Sequence, residues 1–174
     1  MSAPPTGRGL LAGAARLGHY RYLELTCAAV LGRAAVAGTP RFAGFLSGAA
    51  GAHAWRAGLF EQCLPVSVGL PDAATLTVSP GAALDDALDA LGNLGDLELV
   101  SALVTALYPA MLAAWQGDVA ACSPVSDAPL RRVLRRASDD LAAVAAEGAA
   151  LTPRTWSGPP PALAALANSD ALFA

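Results

Sequence analysis

At 174 residues the chain is one domain long, enough to bury a full core without disulfides or a structural metal. It is 55% hydrophobic and only 6% aromatic, it carries no lysine, and its three cysteines (Cys27, Cys63, Cys122) form no C-x-x-C pair, which excludes a secreted disulfide framework and a zinc-ligand set. A net charge of −3 argues against a DNA-binding protein and against an acidic-membrane binder.

Residues 1–7, with two prolines and a glycine, read as a flexible lead-in. They are not expected to be a signal peptide, because Arg16 interrupts the apolar run Leu10–Ala15. The alanine- and leucine-rich segments that follow have few β-branched runs and read as helix. The first helix is expected from Arg8 to Val36, closed by Gly38 and Pro40, with an inward stripe of Leu17, Tyr20, Glu24, Cys27 and Leu31. His19 falls opposite that stripe. A second helix starts with Pro40 in its first turn and stops before Pro65. Its stripe is Phe42, Leu46, Ala49, His53, Arg56, Phe60 and Leu64, at intervals of three and four. Trp55 and Leu59 lie on its other side, so this helix is apolar nearly all round. Its back face is expected to be covered by the tail, the following loop or a second subunit.

Pro65–Pro80 is expected as a loop holding the β-branched cluster Thr75-Leu76-Thr77-Val78, followed by a short helix from Gly81 to Leu91. The third long helix runs from Asp96 to Ala121 with a kink at Pro109 and a stripe of Leu97, Val100, Val104, Leu107, Met111 and Ala114. Its segment Leu99–Gly117 has no formal charge over 19 residues, but no basic residue anchors either end, so no membrane span is expected and the protein reads as cytoplasmic. Ser126-Asp127 and Pro129 start the fourth helix as N-cap and first turn, and Gly148 ends it. Its stripe is Leu130, Val133, Ala137, Asp140, Leu141 and Val144. The organisation is therefore a lead-in (1–7), a helical domain (8–148) and a Pro-rich C-terminal tail (149–174), whose stretch Ala162–Phe173 is expected to dock as a short helix.

His53 and Arg56 stand on a stripe that should be apolar, and a buried cation needs a partner. Glu24, at the centre of the first stripe, is one, and Asp140 on the fourth helix is a second. Arg56 presents a fork of donors that can bind both carboxylates, with His53 filling a remaining position. Two acids, one arginine and a half-charged histidine come close to neutrality.

Four residue groups carry a family resemblance: Glu24 in the first helix, His53-Ala-Trp-Arg56-Ala-Gly-Leu-Phe-Glu in the second, Tyr108-Pro109 in the third, and Asp127-Ala-Pro-Leu with Asp139-Asp140 in the fourth. With the long connection between helices two and three, the chain resembles the ferritin-like four-helix-bundle superfamily, in a small actinobacterial-type branch. The resemblance implies an all-α bundle and a di-metal site built from one Glu on each of two helices and a Glu-x-x-His on each of the other two. Here His53-Ala-Trp-Arg56 replaces one Glu-x-x-His, Glu98 lies off the stripe of helix three, and Asp140 is followed at i+3 by Ala143. A guanidinium does not ligate metals.

The expected function is a non-catalytic ferritin-like bundle whose Glu24, His53, Arg56 and Asp140 network stands in place of the di-metal site. It would act, without a cofactor, by protein–protein or small-ligand interaction, as a homodimer or with another protein. The alternative is an iron- or manganese-dependent oxidase or hydroxylase with a reduced site of Glu24, His53 and Asp140. A further alternative is contact with an anion or RNA through the basic face Arg131, Arg132, Arg135 and Arg136.

Overall fold

A computed structural model describes residues 9–152 and 158–165 and is all-helical, with no strand among the described residues. Helix α1 spans Leu10–Ala37, α2 Pro40–Gln62, α3 Ala73–Leu76, α4 Ala82–Gly92, α5 Asp96–Ala121, α6 Ala128–Leu151 and α7 Pro161–Ala165. The expected lead-in 1–7 and most of the tail, including the second half of the expected helix Ala162–Phe173, lie outside the described residues.

Proline and glycine set the first boundaries. Pro40 occupies the first turn of α2, where its missing N–H leaves no helical bond unmade. Gly38 closes α1 by donating its N–H to the Ala34 carbonyl. The turn between them is tied to α5: Asp96 accepts from the Thr39 N–H at 2.6 Å and from the Thr39 hydroxyl at 2.9 Å. That carboxylate lies at the N-terminus of α2, where the helix dipole favours negative charge.

Three local expectations are corrected. The loop after α2 contains the single-turn helix α3, because the Asp72 side chain accepts from the Thr75 N–H at 2.7 Å and starts a turn within the β-branched cluster. Gly18 permits the contact that holds it: a Cβ there would fall 2.0 Å from the Leu76 carbonyl oxygen, so α1 and α3 meet at backbone distance. Asp127 does not cap α6 forward; it reaches back to the Ser123 N–H at 2.8 Å. Gly148 does not end α6, which runs on to Leu151. Its glycine is a packing requirement, since a Cβ would stand 2.7 Å from Val104 Cγ1 and 2.8 Å from Phe45 Cζ.

The response to Pro109 is specific. Lacking an N–H, Pro109 leaves the Thr105 carbonyl without its helical donor, and its ring crowds that carbonyl. The backbone widens into a π turn over Leu103–Leu107, and the Tyr108 N–H bonds to the Leu103 carbonyl. Beyond the turn the buried face keeps Met111 and Ala114 of the expected stripe, continues it at helical spacing to Asp118, and adds Tyr108, Ala110 and Trp115 beside it.

The inward stripes of α1 and α2 are buried along their whole length. Glu24 pairs with His53 and Arg56, while Tyr20 lies against Phe60 with ring centroids 5.3 Å apart, so the two helices run antiparallel. His53 meets Tyr108 and Phe60 meets Trp115, two pairs that ascend together, so α5 runs in the direction of α2. Arg56 meets Asp140 and Phe45 lies against Gly148, so α6 runs opposite to α2. Short α4 and α7 pack on each other and close the core with Leu84, Leu88, Leu91 and Leu163, each worth roughly 1.5–3 kcal/mol once removed from water. Helix α5 is long and apolar enough to cross a membrane, with mean hydropathy 1.7 in its most apolar stretch, and 61% of that stretch is buried inside the protein.

On the back face of α2 the Arg136 guanidinium lies 4.9 Å from the Trp55 ring centre and Leu59 is half-buried, whereas Gly44, Ser47, Gly48, Gly51 and Ala54 are exposed; most of the tail expected to cover this face lies outside the described residues.

Candidate functional site

Helices α1, α2, α5 and α6 each send one or more polar side chains to a common point in the core. Glu24 and Cys27 occupy one face of α1, and His53 and Arg56, three residues apart, share one face of α2. Tyr108 follows the π turn on α5, and Asp140 reaches in from α6. The four residues expected from sequence are thus brought together.

Arg56 Nε donates to Glu24 Oε1 at 2.9 Å, and its Nη1 donates to Asp140 Oδ2 at 2.5 Å. His53 Nδ1 lies 2.6 Å from Glu24 Oε2, and His53 Nε2 lies 3.2 Å from the Tyr108 hydroxyl. Glu24, His53 and Arg56 are fully buried, whereas the Asp140 side chain is 34% exposed. Arg56 Nη2 has no hydrogen-bond partner and is buried.

The charges follow from these contacts. Burial holds the His53 pKa below the usual histidine value, against the pull of Glu24, and the nearby Arg56 charge lowers it further. His53 is therefore neutral at pH 7, with Nδ1–H donating to Glu24 and Nε2 accepting from the Tyr108 hydroxyl. Burial works against the Arg56 charge, but Glu24 and Asp140 outweigh it and the guanidinium stays charged. The half-charged histidine of the expected balance is therefore replaced by a neutral one, Arg56 is the cation of the group, and Asp140, its outermost member, keeps contact with water. Burial also pushes the Cys27 thiol and the Tyr108 phenol upward, so both remain protonated.

This donor set does not fit a pair of cations. The guanidinium of Arg56 lies between the two carboxylates that would have to bridge metals, and both His53 nitrogens are engaged, one donating and one accepting. Among the described residues, no three His, Cys, Asp or Glu side chains converge as metal ligands would.

A second buried polar cluster escaped the sequence reading. Asp118, buried on α5, accepts from the Tyr20 hydroxyl and from Arg16 Nε, the latter at 3.0 Å; Arg16 Nε also lies 3.0 Å from Tyr20 Oη. Tyr20 was visible on the α1 stripe, and Arg16 stands one turn before it. Asp118 continues the expected α5 stripe four residues beyond Ala114, so the spacing was a signal that could have found it. Trp115 completes this end of the core, packed edge-on to Tyr20 at 6.2 Å and tilted against Phe60 at 5.6 Å. The cluster borders a cavity of about 360 Å³ between the ends of α1, α2, α5 and α6.

Arg132, Arg135 and Arg136 are exposed and Arg131 is half-buried, and none of the four has an ion pair among the described residues. The Arg135–Asp139 and Arg136–Asp140 pairs available at helical spacing do not form: Asp140 is turned inward to Arg56, and Arg136 stacks on Trp55.

No protein-family model, no curated protein and no solved structure matches this chain.

Proposed function

We propose that the protein is a non-catalytic, ferritin-like four-helix bundle in which a Glu24–Arg56–Asp140–His53 network, extended by Tyr108, stands where a di-metal site would lie, and that it works by binding a partner or a small ligand. One observation carries this reading: the Arg56 guanidinium occupies the position between Glu24 and Asp140 and satisfies both. A charge-assisted network of this kind ties α1, α2 and α6 in register, because sliding any one of them parts Arg56 from a carboxylate. The network is closed to substrate on three of its members, which are fully buried. Its histidine is neutral, its thiol and phenol are protonated, and none is positioned as an activated nucleophile.

The test is the metal content of protein purified from cells grown in iron- and manganese-replete medium. The expected result is no tightly held transition metal. Iron or manganese near one atom per chain, lost on His53→Ala, would overturn the reading and put the metal-dependent oxidase or hydroxylase in its place. A second reading, contact with an anion or RNA, is favoured by the unpaired exposed arginines of α6. It predicts retention on a polyanion that weakens steeply with salt and is abolished by R132E/R135E.

A further inference from the structure

The cavity at the α1 N-terminal end has the makings of a ligand site. Its apolar walls are supplied by Leu10, Ala14, Leu17, Pro65 and Leu130, from α1, α6 and the loop after α2. Its volume, about 360 Å³, falls within the roughly 300–1,000 Å³ of small-molecule sites. Arg16, Tyr20 and Asp118 face it as a polar group, and Gln62, Ser126 and Asp127 also line it. Within that group the carboxylate is met by the guanidinium and by the phenol, so the pole offers hydrogen bonding without a bare charge. Leu10, one of the lining residues, is exposed.

Gly13 is the most telling member. It lines the cavity from the first turn of α1, where glycine is still a poor helix former, and nothing lies within 4 Å of the place a Cβ would take. No close backbone approach requires a glycine there, unlike Gly18 one turn and a half further on, which is pressed against Leu76. Its effect is to leave the cavity open.

We infer that this cavity binds an uncharged, largely apolar small molecule of two- or three-ring size with one hydrogen-bonding group directed at the Arg16–Tyr20–Asp118 wall. A charged ligand is disfavoured because its charge would leave water for apolar walls and meet a pole whose charges already face each other. An aliphatic or aromatic body with one hydroxyl, carbonyl or amine matches the walls and the pole together. The inference deepens the binding reading above and rests on it.

The experiment titrates the full chain with N-phenyl-1-naphthylamine, an uncharged aromatic probe with one N–H, and follows its fluorescence. The expected result is one saturable site per chain, with affinity reduced at least tenfold in Gly13→Phe, which fills the cavity, while that variant melts at or above the wild-type temperature. Gly13→Leu, with a smaller side chain, is measured alongside in case the phenylalanine does not fit, and should weaken binding in the same direction. Absence of saturable binding in wild type, or equal affinity in a folded filling variant, would overturn the inference. Either failure leaves the metal-content test untouched, so loss of this site is distinguishable from loss of the non-catalytic reading.

Discussion

Removing Glu24 and removing Arg56 should have unequal consequences, although each breaks the same contact. In Glu24→Ala, Arg56 stays fully buried with Asp140 alone, and the His53 Nδ1–H loses its acceptor. Breaking a buried ion pair by removing one partner costs about 3–5 kcal/mol, which the remaining bond to the partly exposed Asp140 offsets only in part, and a lost buried hydrogen bond and a small cavity add to it. In Arg56→Met the volume is largely refilled. Asp140, 34% exposed, can turn to solvent, and Glu24 keeps the His53 hydrogen bond and can share or take up a proton. That variant should lose about 1–3 kcal/mol, the net of broken charge-assisted bonds against a desolvation penalty no longer incurred. For a chain of this length 1 kcal/mol corresponds to about 2–4 °C in melting temperature, so the two variants should differ by several degrees. Thermal melts at pH 7, checked by urea midpoints, measure this. Equal losses below about 1 kcal/mol in both variants would place Glu24 and Arg56 at the surface and refute the network.

Burial lowers the His53 pKa below 6.5, so the unfolded chain takes up a proton that the folded chain refuses as pH falls through that value; stability is fully present above pH 6.5 and declines below it toward the lowered folded pKa. His19, lowered by burial and by Arg16, adds a slope of the same sign, so His53→Gln should flatten the urea-midpoint profile between pH 7.5 and 5.5 without abolishing it, by at most about 1.4 kcal/mol per pH unit, and an unchanged slope would contradict a neutral buried His53. Gly13→Ala should stabilise the protein by about 0.5–1 kcal/mol through helix propensity, because its Cβ enters open space, whereas Gly18→Ala should destabilise it despite the same propensity gain, because its Cβ would meet the Leu76 carbonyl; urea midpoints of the pair give opposite signs or the α1–α3 contact is misplaced. Asp118→Ala should lower the melting temperature more than Asp127→Ala, since Asp118 is buried against Tyr20 and Arg16 while Asp127 holds a turn at the partly exposed start of α6.

Periodicity and punctuation were enough to read the helices and the polar quartet from sequence. The stripes of α1 and α2 repeat at three and four without interruption, and Pro40 and Pro65 bound α2 by local sterics alone. A charged residue on such a stripe demands a partner of opposite charge wherever the helices pack, and Glu24 and Asp140 stood on the facing stripes. Local spacing does not say which neighbour claims a residue. Gly148 reads as a helix stop because glycine usually is one, but Phe45 and Val104 claim the space its side chain would fill.

The sequence by itself determined an all-helical chain and a core that must match the Arg56 charge with Glu24 and Asp140, since both follow from local spacing and from the penalty on an unmet buried ion. How α5 passes Pro109 is set by the tertiary structure. A proline announces a disturbance, but whether the backbone kinks or widens into a π turn depends on what packs around it, and here it widens just before Tyr108, which meets His53. The neutral state of His53 and the end cavity beside Gly13 belong to the same class: burial and empty space are properties of the assembled helices, set by every neighbour at once, and no single helix carries them in its own pattern.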